Sequence, residues 1–134
     1  MRRPSVLIMG ALLVLSGFGT AGAHHSVAMY DGKRVVRIIG TVTGYRWINP
    51  HVSVQIDGSG EGDVPGGPWT VEMTAPTAAM DEGWTRDSLA IGDTITVFAN
   101  PRRDAKVSDS PHRGMYVGAI LPGGRTLGRV DGFR

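Results

Sequence analysis

Hydrophobic and polar positions alternate in short runs along most of the chain, with the two-residue period of strands that bury one face. The clearest run is His51-Val52-Ser53-Val54-Gln55-Ile56, with Val52, Val54 and Ile56 on one face and His51, Ser53 and Gln55 on the other. Val35 to Trp47 is rich in β-branched and aromatic residues and predicts a long first strand. Gly40 and Gly44 interrupt it, as expected where a strand bulges or bends sharply into a small barrel. Trp69 to Met73 predicts a third strand, Asp93 to Phe98 a fourth and Met115 to Leu121 a fifth. In the third, Glu72 faces away from Trp69, Val71 and Met73.

The segments between these runs carry turn chemistry. Asn49-Pro50 turns the chain after the first strand, and Asp57 to Pro68 holds Gly58, Gly60, Gly62, Gly66 and Gly67, the composition of a mobile hairpin loop. Ala75 to Glu82 predicts a short helix, with Pro76 in its first turn and Gly83 at its end. Pro101 to His112 is polar and charged and reads as a long loop. Pro122-Gly123-Gly124 is a further turn, followed by a short run to Leu127 and a frayed tail from Gly128 to Arg134. The expected fold is therefore mainly all-β: a five-stranded OB-like barrel with one short helix between strands 3 and 4. An open, coil-rich sandwich is the alternative.

The first residues change how length and charge are read. Met1-Arg2-Arg3-Pro4 precedes an apolar run from Val6 to Leu15 and a small-residue Ala21-x-Ala23 site, the pattern of a secretory leader cut after Ala23. The run falls short of the roughly 20 apolar residues of a membrane span. The Arg-Arg pair lacks the further residues of a twin-arginine signal. This reading gives a leader at 1–23, a single β-barrel domain at 24–128 and a flexible tail at 129–134, in a periplasmic or secreted protein with no membrane span after processing. Removing Arg2 and Arg3 lowers Lys+Arg from 14 to 12 against 12 Asp+Glu, so the processed chain carries no net charge with His neutral. The precursor's pI of about 9.4 is then no sign of a nucleic-acid partner. There is no cysteine, which excludes disulfides and thiolate metal chemistry.

Several of these residues occur together in a recognisable order. Ala23-His24-His25-Ser26 stands at the leader junction. Gly40-Thr41-Val42 leads to Trp47-x-Asn49-Pro50-His51, and Glu72, Gly83-Trp84-Thr85-Arg86, Gly92-Asp93 and Asn100-Pro101 follow. The chain resembles DUF6152, a family of small exported bacterial proteins, over essentially the whole processed sequence. That resemblance implies an exported, compact β domain and no established reaction.

Four histidines remain after the leader. A cut after Ala23 makes His24 the terminal residue, whose amine and imidazole chelate one metal. A second imidazole would complete a three-nitrogen set of the kind that favours Cu(II). His51, beside the Asn49-Pro50 turn, is the preferred partner, with His25 and His112 behind it. A cut one residue earlier would place His25 third from the amine, a spacing that also binds Cu(II). The alternative is a solvated terminus and a His51 that caps its turn.

A second constellation is metal-free. Trp47, Asn49, His51, Trp84 and Arg86 could share a concave face, flanked by a loop carrying Arg102, Arg103 and Lys106 and by Arg113. Such a face suits a small anionic or sugar-like ligand or a protein partner; the alternative for Trp47 and Trp84 is the core. Glu72 is a candidate to orient a ligating histidine, or simply an outward-facing acid. Met29, Met73, Met80 and Met115 read as core fillers. Adjacent Asp81 and Glu82, and the separated Ser26, His51 and Asp57, form no recognisable acid–base or nucleophilic arrangement. The expectation is a binding protein and not an enzyme.

Overall fold

The computed structural model describes residues 27–133. Along the chain run β1 (Val36–Arg46), β2 (Ser53–Gly60), β3 (Gly67–Glu72), α1 (Pro76–Asp81), β4 (Thr94–Pro101), β5 (His112–Ile120) and β6 (Thr126–Gly128). The strands hydrogen-bond in the order β3-β2-β1-β4-β5-β6, and a parallel pairing of β3 with β5 closes the first five into a barrel. Every other neighbouring pair is antiparallel. This is the connectivity of an OB-type barrel, with α1 inserted between β3 and β4.

Closure depends on β1 serving two partners. Val36 to Thr41 pairs with β4, while Ile38 to Arg46 pairs with β2, so the strand coils around the barrel. The glycines expected to bend it do so for a steric reason. Gly40 lies opposite Gly58, and a Cβ on Gly40 would fall 2.5 Å from the Asp57 carbonyl oxygen and 2.6 Å from the Gly58 Cα. No side chain fits between the two backbones. Immediately afterwards a bulge between Val42 and Gly44 turns the strand end.

The alternating runs supply the interior. Val36, Ile38 and Val42 of β1, Val54 and Ile56 of β2, Trp69 and Val71 of β3, and Ile95, Val97 and Ala99 of β4 form one buried cluster. Helix α1 adds Ala79, and the chain leaving it adds Trp84. The Gly83 φ of +93° is a left-handed turn that ordinary residues avoid, and it lets the Trp84 amide bond the Ala79 carbonyl at 3.0 Å. The indole is thereby delivered into the end of the barrel.

Pairing extends the strands beyond their apolar pattern. β2 and β3 run into the glycine segment as far as Gly60 and from Gly67, leaving residues 61–66 as the connection. β5 starts at His112, three residues before the apolar run, because Trp69 to Glu72 of β3 pair with His112 to Met115. The long loop is therefore residues 102–111. β6, a three-residue strand against β5, was not expected.

The segment read as a frayed tail is ordered as far as Phe133. The Arg129 amide donates to the Val117 carbonyl at 2.9 Å, and Val130 is buried. The Phe133 ring lies 5.9 Å from Phe98, with the Arg129 guanidinium over it at 5.4 Å. Phe98 points away from the barrel interior, between the inward Val97 and Ala99, so this segment gives a buried aromatic its cover.

Candidate functional site

The residues singled out in the sequence are dispersed. His24 and His25 lie outside the described residues. His51 and Asn49 line an open groove of about 340 Å³ on the outer β2–β3 face, together with Arg46, Ser53, Gln55, Thr70, Glu72 and Arg113. Gln55 donates to the Ser53 hydroxyl at 3.1 Å, and Arg113 crosses from β5 to pair with Glu72 at 3.1 Å. Among the described residues, no three His, Asp or Glu side chains come together as a metal site.

The tryptophans and Arg86 take other places. Trp47 is partly buried, packed edge-on to Tyr45 at 6.0 Å. Trp84 is 1% exposed, and its Nε1 donates to the Tyr116 hydroxyl at 3.1 Å, which makes it a core residue and not part of a ligand surface. Arg86 is exposed beyond α1 and lines neither the groove nor the cavity described next. Met73 is in the core, whereas Met29 and Met80 are exposed, so the methionines do not cluster.

The basic loop does build a site, next to the groove. A cavity of about 210 Å³ lies beneath residues 102–107, at the barrel end where β1 begins, β4 ends and β5 starts. Its floor is Trp69 and His112, whose rings sit 5.1 Å apart at 41°. Pairing of β3 with β5 places them side by side. The Trp69 Nε1 donates to the Pro65 carbonyl at 3.1 Å, which fixes the indole. Val36, Val64, Pro65 and Pro101 form apolar walls, and Arg34, Arg102, Arg103, Lys106 and Arg113 stand around the rim. Arg113 also lines the groove, so the two depressions adjoin.

Charge is partly compensated there. Arg34 pairs with Asp63 at 3.0 Å and Arg113 with Glu72. Arg102 holds Asp104 through two hydrogen bonds of 2.8 and 2.7 Å, lowering the Asp104 pKa through those bonds. Arg103 and Lys106 form no ion pair among the described residues. His112 is 6% exposed with no side-chain hydrogen bond among the described residues, but the buried polar side-chain atoms without a partner are Tyr30 Oη and Arg37 Nε, not its ring nitrogens.

The N-terminal segment is tied to the same loop. The amide of Arg103 donates to the Met29 carbonyl at 3.0 Å, its Nε donates to the Ala28 carbonyl at 3.2 Å, and Asp31 donates to Pro101 at 2.8 Å. Tyr30, 2% exposed, is thereby pressed in near Glu72. Burial first, and then the Glu72 carboxylate, push the Tyr30 pKa up to about 12. The sequence showed the cations of this loop but gave no signal for the Trp69–His112 floor. These two residues are 43 positions apart, and no periodicity links them.

Fold and cavity together define a small OB-type barrel with a basic, aromatic-floored cavity under the loop between β4 and β5. The chain belongs to the family of unknown function DUF6152, whose model matches residues 11–110. The match takes in β1 to β4 and most of the basic loop, and stops before β5. Comparison with curated proteins and with solved structures finds no match. No helix among the described residues is long and apolar enough to cross a membrane.

Proposed function

We propose that this protein is an exported binding module, not an enzyme, that holds a small anionic ligand in the cavity beneath the 102–111 loop. One observation carries this reading. The paired Trp69 and His112 rings floor a cavity rimmed by five cationic side chains, of which Arg103 and Lys106 form no ion pair among the described residues. Cations left without a carboxylate partner at the rim of a cavity attract and hold an anion. Binding is favoured over catalysis because the one carboxylate lining the cavity, Asp63, is already engaged by Arg34. Export rests on the leader pattern of residues 1–23.

Thermal unfolding of the processed protein tests this, in acetate, benzoate, phosphate or chloride at equal ionic strength. At least one of the three anions should raise the Tm above its value in chloride, and Arg103→Gln with Lys106→Gln should abolish the gain. Equal Tm values in all four salts would refute the site. Intact mass of the exported protein tests the leader, with a start at His24 as the expected result.

Cu(II) binding through the His24 terminus and His51, with His25 as a further ligand, is a second reading. It is favoured by the anchoring of Ala28 and Met29 on Arg103, which ties the start of the described chain to the loop beside the groove that His51 lines. Calorimetric Cu(II) titration of protein starting at His24, beside His51→Ala, decides it. Unchanged affinity in the variant would eliminate His51 as a ligand.

A further inference from the structure

Three features of the cavity restrict what its anionic ligand is, given the reading above. The first is residual charge. Of five rim cations, Arg34, Arg102 and Arg113 are neutralised by Asp63, Asp104 and Glu72, which leaves Arg103 and Lys106. Two uncompensated charges match one carboxylate or a dianion, not a polyanion.

The second feature is the lining. Seven of the fourteen lining residues are apolar: Val36, Val64, Pro65, Trp69, Pro101, Ala105 and Val107. An inorganic anion would leave these surfaces facing water or empty space, whereas an organic body would cover them. The tilted Trp69–His112 pair offers ring edges and faces of the kind that pack against another ring.

Size is the third. The cavity measures about 210 Å³. An apolar cavity of about 150 Å³ is known to take benzene. The space here thus holds one six-membered ring with a carboxyl group attached, and little more.

We propose that the cavity binds a single-ring aromatic carboxylate. The ring lies on the Trp69–His112 floor between Val64 and Pro65, the carboxylate meets Arg103 and Lys106, and His112 donates a further hydrogen bond to it. The inference rests on the anion site proposed above and specifies its ligand class.

Calorimetric titration of the processed protein with benzoate, cyclohexanecarboxylate, acetate and phosphate tests it. The His112 ring C–H resonances, followed by NMR, report the position of the ligand. Benzoate should bind at least about tenfold more tightly than acetate or phosphate, the discrimination that a ring's apolar contact supplies. It should also exceed cyclohexanecarboxylate and shift the His112 resonances. Arg103→Gln with Lys106→Gln, both on exposed loop positions, should weaken benzoate about tenfold through loss of charge-assisted contacts. His112→Phe keeps the ring and removes the donor, and should weaken benzoate while leaving the circular dichroism spectrum unchanged.

Acetate or phosphate binding as tightly as benzoate would overturn the aromatic class and leave the anion site standing. Cyclohexanecarboxylate matching benzoate would overturn the aromatic requirement alone. No binding of any of the four, with static His112 resonances, would overturn both the ligand class and the site.

Discussion

Replacing Trp84 by Phe separates a structural role from a ligand-binding one, because the two assign the indole to different places. The side chain is 1% exposed and joins the main core cluster. Its Nε1 donates to the Tyr116 hydroxyl at 3.1 Å, and the two rings meet edge-on at 5.5 Å. Tyr116 is partly buried against the core, and that burial raises its pKa above the ordinary value. Phe removes the donor and leaves that hydroxyl short of a partner, at about 1–3 kcal/mol. Shrinking an indole to a phenyl in a packed core adds about 1–2 kcal/mol for lost contacts and residual space. The sum is about 2–5 kcal/mol, or roughly 10–20 °C in Tm for a domain of this size. Urea unfolding followed by circular dichroism measures it. A Trp84→Phe/Tyr116→Phe double mutant should recover about 1 kcal/mol of the loss, because the stranded hydroxyl goes with its partner. Benzoate and Cu(II) affinity should be unchanged in the folded variants. A loss under 0.5 kcal/mol, or weakened ligand binding at full foldedness, would refute the core assignment.

Gly40→Ala should destabilise by about 1–3 kcal/mol, since its Cβ has no room against the Asp57 carbonyl and Gly58; unfolding at wild-type urea concentrations would contradict the close approach of β1 and β2. Ending the chain after Gly128 should uncover Phe98 and cost about 2 kcal/mol, with increased binding of a hydrophobic dye; an unchanged melt would show that the Phe133 contact contributes nothing. Tyr30 and Tyr45 are pushed up to about 12, Tyr30 by burial and Glu72, Tyr45 by burial alone. Both are held neutral in the folded state above the pH at which the unfolded chain begins to ionise. The stability they contribute is therefore fully present below pH ~10 and is lost as pH rises through about 12. Tyrosinate absorbance should develop near pH 12 in the native protein and near 10 in urea, and a native midpoint at 10 would contradict their burial.

The alternating runs of Val52-Val54-Ile56, Trp69-Val71-Met73 and Ile95-Val97 were enough to place the strands, because a two-residue period fixes which face is buried before any partner is known. Pro76 and Gly83 bracketed α1 for equally local reasons, a preset φ at one end and a left-handed turn at the other. Strand count, helix position and the polar loop then led to an OB-type barrel. Family membership was legible too, in the Asn49-Pro50-His51 and Gly83-Trp84-Thr85-Arg86 elements.

What the pattern could not decide depends on partners distant in sequence. Phe98 breaks its strand's alternation with no sign of what covers it, and only the packed chain brings Phe133 across it. Trp84 read as core more readily than as ligand platform, and the Tyr116 hydroxyl beside its Nε1 places it in the core. The cations of the 102–111 loop were visible as charge. That Glu72 cancels Arg113, and that His112 is laid on Trp69, follows from the β3–β5 pairing that closes the barrel. Asp63 reaches Arg34 across 29 residues, whereas Arg102 and Asp104 pair locally. Sequence determined the strands and their buried faces because those are set by neighbours two to four residues away. Tertiary structure alone decided the cavity, because its floor, walls and residual charge come from strands and loops that meet only at closure.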